Sequence, residues 1–485
     1  MSYTKKVAYN TLAQMIGKAI GIAISIATVA ALFRYFGIEG VGKYTTVFAF
    51  VAFFSIFADF GLQWTLLREL SVNSDKNKVF RNIFAFRLFI ALLVHALAFG
   101  AVWFFNYPLD VKYGVGIITF AWFFTTMNST LVGVFLNSYR LDISVSTDIV
   151  GRIAILLLTL YLISIKSGFS VILAATLAGN ALNFFLNLIF VRRYIKLGME
   201  FDFKYWPHIF SQALSIGIVL IFHFIYFRID SLMLSLMKGM ADVGIYGTAY
   251  KLLEVLETVP SMFLGAAFPL VTRYVVKKDE RMHSAFQKQF DFLFLIAVPI
   301  VGGTYVLASP IINFLGGRGG EFTSASTVSV LGNPSTAVTC LRILIFAVGV
   351  SFFSNLYTYL IVSLGRQKNM VWPTIGFAVF NVVLNLIVIP RFSYVGASFS
   401  TLLTEFVVVA VSYFVAMKFL PLKVSLANSG KILIAGLIMT FFALYFNSVG
   451  TNLFVNIAMS AALYTGLIFL FKAVPMELVR SIIKR

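Results

Sequence analysis

Two charged residues stand two positions apart in the apolar stretch HFIYFRIDSLML, residues 223–234. A charged side chain at the centre of a bilayer costs about 2.5–3.5 kcal/mol on insertion scales, so it normally meets a partner or a wet cavity. On a helix, Arg228 and Asp230 point about 200° apart, because each residue turns the chain by about 100°. They cannot satisfy each other, so each one needs another partner, a charged substrate or a coupling ion.

A second polar stripe is predicted on the next apolar helix, at a similar depth. Lys251 and Glu254 share one side of that helix, Glu257 lies beside them, and a short turn joins it to the helix of Arg228 and Asp230. One interpretation is a structural bridge between the charges of the two helices. The other is that at least one of these charges faces a water-filled cavity and handles a charged substrate or a coupling ion. The sequence leaves both open.

Further polar residues lie inside other apolar runs. Lys18 heads a stripe of small and polar residues on the first helix, where small side chains would also serve close helix packing. Arg342 is an isolated charge in a later run, and structural pairing explains such a residue as well as function does. The candidates for coupling to a cation are Asp59, Asp230, Glu254 and Glu405.

The pattern of a catalytic site is absent from the sequence. Cys340 is the single cysteine and the four histidines lack ligand spacing, so neither a disulfide framework nor a metal site is expected. The glycine-rich GGRGGEF, residues 316–322, lacks the Lys-Ser/Thr of a phosphate-binding loop. We therefore expect no catalytic residue, no metal and no cofactor, and a protein that is not an enzyme.

The composition predicts an integral membrane protein that holds these charges in helices. Of 485 residues, 60% are hydrophobic and 12% are charged, which no soluble core could enclose. Charged, Gly, Pro and Asn clusters divide the chain into fourteen apolar runs of membrane-spanning length. Most of the 38 basic residues fall on one side if both termini are cytoplasmic, as the positive-inside rule requires. The net charge of +19 therefore reflects topology, and no nucleic-acid partner is expected.

An internal repeat orders these helices. VGKYTTVFAFVAFF begins at Val41 and VGIYGTAYKLLEVL at Val243, each opening a helix after an outer turn, and the inner turns NSYRLD and SLGRQK correspond further along. Six helices followed by six of the same orientation predict a pseudo-twofold axis along the membrane normal. We predict an N-terminal bundle over residues 1–200, a second bundle over 201–425, and two additional helices with a basic tail over 426–485.

The chain resembles the polysaccharide-repeat flippases of the multidrug/oligosaccharidyl-lipid/polysaccharide (MOP) exporter superfamily. The features that carry this resemblance are the VGKY and VGIY helix openings, the YRLD and GRQK inner turns, the FRIDSLML stretch and the extra helix pair. The resemblance covers nearly the whole chain. It implies an all-α polytopic membrane protein of fourteen helices, in which two pseudo-symmetric six-helix bundles surround a central cavity. It also implies flipping of undecaprenyl-pyrophosphate-linked oligosaccharides to the outer leaflet of a bacterial plasma membrane by alternating access.

The same resemblance implies a cationic cavity, since family members line it with basic residues that can bind a pyrophosphate. By position, the matching residues are Lys18, Arg34, Arg228, Lys251 and Arg342. Sodium or a proton is the implied coupling ion, and membrane lipids and polysaccharide polymerase or export machinery are the implied partners. The intramembrane acids keep a cation or drug antiporter of the multidrug and toxic compound extrusion (MATE) type open as an alternative. The fourteen helices also fit a lipid II flippase, which is the other alternative.

Overall fold

The computed structural model of the chain describes residues 3–73, 75–277, 279–317, 319–330, 332–422 and 424–473. In this part of the chain, twelve helical runs, some with a short interruption, are long and apolar enough to cross a membrane. The protein is therefore an all-helical polytopic membrane protein, as the composition predicts. The basic tail predicted after the last helix lies outside the described residues from position 474 onward.

The helices divide between two compact units, one ending at Gly244 and the other beginning at Ile245. The first unit contains α1 (Tyr3–Asp59), α2 (Leu62–Val72), α3 (Lys76–Ala101), α4 (Leu109–Asn137), α5 (Leu141–Ser164), α6 (Phe169–Val191), α7 (Trp206–Met237) and the start of α8 (Met240–Leu256). The second contains the rest of α8, then α9 (Thr258–Val276), α10 (Arg281–Val306), α11 (Ala308–Gly316), α12 (Glu321–Ser324), α13 (Ala337–Ser363), α14 (Val371–Phe419), α15 (Ala427–Ser448) and α16 (Leu453–Leu470). The domain boundaries after residues 200 and 425 were predicted from the internal repeat, and they stay a prediction.

Short 3₁₀ turns and one small hairpin complete the described backbone. The 3₁₀ turns are Val102–Phe104 after α3 and Gln367–Met370 before α14. Strands β1 (Val328–Val330) and β2 (Asn333–Ser335) pair antiparallel between α12 and α13, with Val328 opposite Ser335. The hydroxyl of Tyr394 donates to the carbonyl oxygen of Ser335 at 2.7 Å, which fixes the hairpin to α14.

Two helices contain a sharp break in a continuous run. Gly37 has φ 63° inside α1, a conformation that glycine adopts without steric cost. In α14 the break falls at Ser393, with φ 45°, three residues after Pro390. At 57 and 49 residues these helices would measure about 86 and 74 Å if straight, far more than a bilayer core of about 30 Å.

Further interruptions separate α1 from α2 and α8 from α9. Phe60 and Gly61 have φ values of 42° and 76°, so the backbone turns between Asp59 and Leu62. α8 ends at Leu256, which is four residues before Pro260. A proline ring clashes with the carbonyl of the residue four positions earlier. Pro260 therefore explains why the helix is interrupted between Leu256 and Thr258.

The backbone of the two inner turns has the same geometry, independently of sequence identity. Tyr139 has φ 54° and Gly365 has φ 68°, and they occupy the same place in the two inner turns. The amide of Arg140 donates to the carbonyl of Phe135 at 2.9 Å, and the amide of Arg366 donates to that of Ile361 at 3.0 Å. These are the same helix-ending hydrogen bonds, so NSYRLD and SLGRQK are equivalent turns in structure as well as in sequence.

The two repeat motifs also meet each other. A Cβ atom placed on Gly42 would overlap the carbonyl oxygen of Met240, and one on Gly244 would overlap that of Ile38. Because Met240 and Gly244 follow Ile38 and Gly42 by the same 202 positions, the contact is reciprocal. The glycines of VGKY and VGIY are therefore required by close backbone approach.

Candidate functional site

Asp59, a predicted coupling residue, is held by a buried arginine in the first unit. Arg87 on α3 is completely buried, and its Nη2 donates to the Asp59 carboxylate at 2.7 Å. Its Nη1 donates to the hydroxyl of Thr130 at 2.9 Å and also to Ser129. Because the last residue of α1 is fastened to α3 and α4 in this way, Asp59 lies in a structural network next to the break before α2.

Arg228 and Asp230 occupy different surroundings on α7, as their spacing predicts. Arg228 is half-buried against Ala49 and Phe53 of α1, and its guanidinium lies 6.0 Å from the ring centre of Phe224. Asp230 is completely buried. A turn later, Ser235 shares a 2.8 Å hydrogen bond with the hydroxyl of Tyr107. The two charges therefore have different surroundings on α7, one in a small cleft beside α1 and the other in a fully buried position.

The polar stripe of the first helix faces α5. Arg152 donates to the hydroxyl of Ser25 at 2.6 Å and to the carboxylate of Asp148 at 2.7 Å, and its side chain lies against Gly21. This stripe therefore serves helix packing and a polar contact. Lys18 itself is exposed, and so is Arg34, which lies three residues before the break at Gly37.

In the second unit, Lys251 and Glu254 bind each other. The ammonium of Lys251 donates to the Glu254 carboxylate at 2.9 Å, one turn apart on α8. Both side chains are half-buried. The pair explains how two opposite charges lie together in an apolar helix, since each offsets the desolvation of the other.

Glu405 lies close to a second acid, Glu257. Glu405 is buried on α14 and accepts a hydrogen bond of 3.2 Å from Ser354 of α13. Glu257, at the break between α8 and α9, lies beside Ser351 and Asn355 of the same helix, near enough for its carboxylate to interact electrostatically with that of Glu405. Three helical segments therefore bring two acids together on one polar side of α13.

The polar side continues along α14. The Asn381 amide donates to the hydroxyl of Thr404 at 3.1 Å, and the Asn385 amide donates to the Asn381 side-chain oxygen at 3.0 Å. Arg342, in contrast, is exposed near the start of α13, where its Nε donates to the carbonyl of Tyr305 at 3.3 Å and its guanidinium lies over that ring. Arg342 and the acids thus belong to separate environments.

The sequence did not single out Arg87 as an intramembrane charge or Glu257 as the neighbour of Glu405. Arg87 follows the basic group at the start of α3, but it lies eleven residues into that helix, about 17 Å along its axis. This distance from the start of the helix could have indicated from the sequence that Arg87 is an intramembrane charge. Glu257 and Glu405 are far apart in the chain, and no sequence pattern joins them. Within the described ranges, no three His, Cys, Asp or Glu side chains come together as a metal site.

Long apolar helices with interruptions beside intramembrane charges are typical of one class, polytopic membrane transporters. Solved structures with this fold include transporters of the MOP superfamily. A lipid II flippase, MurJ, in an inward closed conformation matches with a TM-score of 0.76 over 98% of this chain and 100% of its own, at 13% identity. A multidrug-resistance MATE transporter of the MOP superfamily, in an inward-facing conformation, matches with a TM-score of 0.64 over 82% of this chain and 95% of its own, at 11% identity.

The chain belongs to the polysaccharide biosynthesis protein family, whose model matches residues 3–275. Among named relatives, a probable low-salt glycan biosynthesis flippase, Agl15, from Haloferax volcanii is 23% identical over 57% of this chain and 56% of its own length. A putative O-antigen transporter from Shigella flexneri is 22% identical over 66% of this chain and 79% of its own length. The family resemblance read from the sequence is thereby confirmed, and these relatives are named as transporters and flippases, not as enzymes.

Proposed function

We propose that the protein flips undecaprenyl-pyrophosphate-linked oligosaccharide units from the inner to the outer leaflet of a bacterial plasma membrane, for cell-surface polysaccharide synthesis. One observation carries the proposal above the others. The chain belongs to a polysaccharide biosynthesis family and at the same time matches a lipid II flippase over 98% of its length. Family and fold thus both favour a lipid-linked sugar as the transported molecule.

The proposed topology has fourteen crossings. Dividing the two overlong helical runs at Gly37 and Ser393 turns twelve candidate spans into fourteen. An even number agrees with two cytoplasmic termini, and the positive-inside bias favours that orientation. The repeated turns and the reciprocal contact of Gly42 with Gly244 support two equivalent six-helix bundles followed by α15 and α16.

Anion binding is the proposed role of the basic residues in or beside the spans. A pyrophosphate must leave water when it crosses, and Arg or Lys in a low-dielectric site supplies charge-assisted hydrogen bonds. The proposed set is Lys18, Arg34, Arg228, Lys251 and Arg342. Arg228 is the strongest member, because it is half-buried in a predicted span and packs on apolar residues of α1.

Transport by alternating access is proposed to use an ion gradient of sodium or protons. Asp59, Asp230, Glu254 and Glu405 are the proposed coupling residues. The surroundings of these four acids favour a coupling role to different degrees. Asp59 and Glu254 are the weaker candidates, because each already binds a basic side chain in the structure. Glu405 is the strongest member, because its buried carboxylate interacts with another acid.

Two alternatives rest on specific observations. A lipid II flippase is favoured by the same structural match that supports the proposal. A MATE-type antiporter is favoured by the intramembrane acids, but the MATE structure matches only 82% of this chain. The C-terminal helices α15 and α16 add length that favours the flippases. Polysaccharide polymerase or export machinery is the proposed protein partner.

The test is a flipping measurement with purified protein in lipid vesicles. A fluorescent polyprenyl-pyrophosphate oligosaccharide is placed in both leaflets, and a membrane-impermeant enzyme that cleaves the sugar reports its appearance outside. We expect a protein-dependent increase in the cleaved fraction. Arg228→Ala should abolish it while the variant elutes as folded protein, and Arg228→Lys should retain part of it.

Three results would contradict the proposal. One is normal flipping by well-expressed Arg228→Ala protein, which would remove Arg228 from the substrate site. Another is no flipping of the oligosaccharide together with export of a lipophilic cation, which would assign the chain to the antiporters. A third is flipping of lipid II with no flipping of other linked sugars.

A further inference from the structure

The second unit contains an apolar cavity of about 640 Å³ between α9, α10, α15 and α16. Its walls are largely aromatic and aliphatic, with Phe263, Leu270, Phe292, Leu295 and Ile468 among them. The volume lies in the range of about 300–1,000 Å³ that is usual for ligand sites. All four helices are candidate membrane spans, so the occupant must be soluble in the bilayer.

One end of this cavity is basic. Lys288 and Arg281 line it, and the exposed Lys277, Lys431 and Lys472 lie within one helical turn of other lining residues. The positive-inside bias places this end at the cytoplasmic surface. An apolar chamber below a cationic rim is complementary to a molecule with an apolar chain and an anionic head.

The acids near this rim are Asp279, Glu280 and Asp291, of which Glu280 is exposed. The Asp279 carboxylate binds Arg281 at 2.6 Å, and hydrogen bonds from Arg281 lower the pKa of Asp279 to about 2, so this acid is ionised at neutral pH. Asp291 accepts one hydrogen bond from Gln287 at 2.8 Å and another from Asn428 at 3.2 Å. Among the described residues, no carboxylate lies within 4 Å of the Lys288 ammonium. Lys288 is therefore available to a ligand.

We propose that this cavity binds an anionic glycerophospholipid of the inner leaflet, with one acyl chain between α9, α10, α15 and α16 and its phosphate at Lys288. Basic pockets between membrane helices at the cytoplasmic surface bind anionic lipid headgroups. Glycerophospholipids surround the helices at far higher concentration than a transported substrate, so mass action fills the cavity with them first. The proposal does not depend on which substrate the protein transports.

The experiment measures lipid binding to the purified full-length protein in detergent by native mass spectrometry. Phosphatidylglycerol, phosphatidylcholine and a polyprenyl monophosphate are titrated separately. Phosphatidylglycerol should bind more tightly than the other two. Lys288→Gln should weaken phosphatidylglycerol binding about fivefold, the effect of one basic residue at a membrane surface, and leave phosphatidylcholine binding unchanged.

Matched variants separate charge from shape. Lys288→Arg should retain tight binding, and Lys204→Gln, at an exposed lysine of the first unit, should bind like the unchanged protein. Ala285→Trp, which fills the cavity from α10, should reduce the binding of both phospholipids. If Ala285→Trp does not fold, the Lys288 pair of variants still decides the role of the charge.

Two outcomes would overturn the proposal. One is equal binding of phosphatidylglycerol to Lys288→Gln and to the unchanged protein. The other is tighter binding of the polyprenyl phosphate than of phosphatidylglycerol, lost in Ala285→Trp, which would assign the cavity to a substrate tail.

Discussion

Arg87 illustrates what a fully buried guanidinium requires in an apolar helix bundle. Its two terminal nitrogens donate to the carboxylate of Asp59 and to the hydroxyls of Ser129 and Thr130, whereas its buried Nε has no hydrogen-bond partner among the described residues. Removing one partner of a buried ion pair leaves the other charge uncompensated, which costs more than the pair itself contributes. At the residue scale, this network fixes the end of α1.

Arg87→Ala should therefore lower the free energy of unfolding by about 3 kcal/mol. The measurement is the melting temperature of the purified protein in detergent. Asp59→Asn combined with Arg87→Met should be less destabilising than Arg87→Ala alone, because no charge is left without a partner. Arg281→Ala, at an exposed ion pair, is the control and should change little. Equal shifts for Arg87→Ala and Arg281→Ala would contradict the account.

Glu405 should behave differently from Asp59, because its neighbour is another acid. Two neighbouring carboxylates each disfavour the charge of the other, so a site that holds both is suited to binding a cation or a proton. Glu405→Gln should leave a folded protein whose transport no longer responds to an imposed sodium or proton gradient. Transport measured in vesicles with and without the gradient checks this.

The control for Glu405 is Glu280→Gln, at an exposed acid between α9 and α10. It should keep the full response to the gradient. A response in Glu405→Gln equal to that of the control would remove Glu405 from coupling.

The sequence predicted most of the residues that are charged inside apolar runs, but it missed Arg87 and did not show which charges of different helices meet. Arg228 and Asp230 were expected on different faces because helical geometry alone decides that. The pairing of Asp59 with Arg87 depends on how α3 packs beside α1, and a side-chain register between helices has no signature in one sequence. The same holds for Glu257 and Glu405, which three helical segments bring together.

At the scale of elements, the glycines of the repeat motifs decide how closely two helices approach. Gly42 and Gly244 each leave no room for a Cβ atom beside a backbone carbonyl, and a backbone cannot move aside as a flexible side chain can. Small residues at helix interfaces are the usual means of close packing in membranes. The sequence showed the VG-Tyr pattern of the repeat, but the reason for the glycines required the structure.

Gly42→Ala and Gly244→Ala should each strongly reduce the yield of folded protein, because the added methyl group would overlap a carbonyl oxygen. The measurement is the fraction that elutes as a single species in size-exclusion chromatography. Gly376→Ala is the matched control, since a Cβ there meets nothing within 4 Å. In a helix this change should be neutral or stabilising by about 0.5–1 kcal/mol. Normal yields for both repeat variants would contradict the reciprocal contact.

The sequence predicted the presence of long membrane helices, but it predicted only some of the breaks within them. Apolar length and the positive-inside bias are strong signals, and the structure contains long apolar helices where they were expected. The end of α8 was predictable, because it lies four residues before Pro260. Phe60 and Ser393, in contrast, adopt positive φ without being glycine, so tertiary packing must hold them there.

At the scale of the whole molecule, family membership and fold support a glycan flippase, whereas the mixture of acids and bases within the spans fits both flippases and cation antiporters. What separates them is the charge of the ligand. A flippase for a pyrophosphate-linked sugar must bind an anion, and a drug antiporter must bind a cation. The charge of the ligand that stabilises the native protein therefore distinguishes a flippase from an antiporter.

The most direct test compares the thermal stability of the purified protein with a short-chain polyprenyl-pyrophosphate sugar and with a lipophilic cation, at several salt concentrations. A ligand that binds only the native state stabilises it by about 2.7 kcal/mol at one hundred times its Kd. The account predicts stabilisation by the pyrophosphate sugar that falls as salt rises and is lost in Arg228→Ala. Stabilisation by the lipophilic cation alone would contradict it.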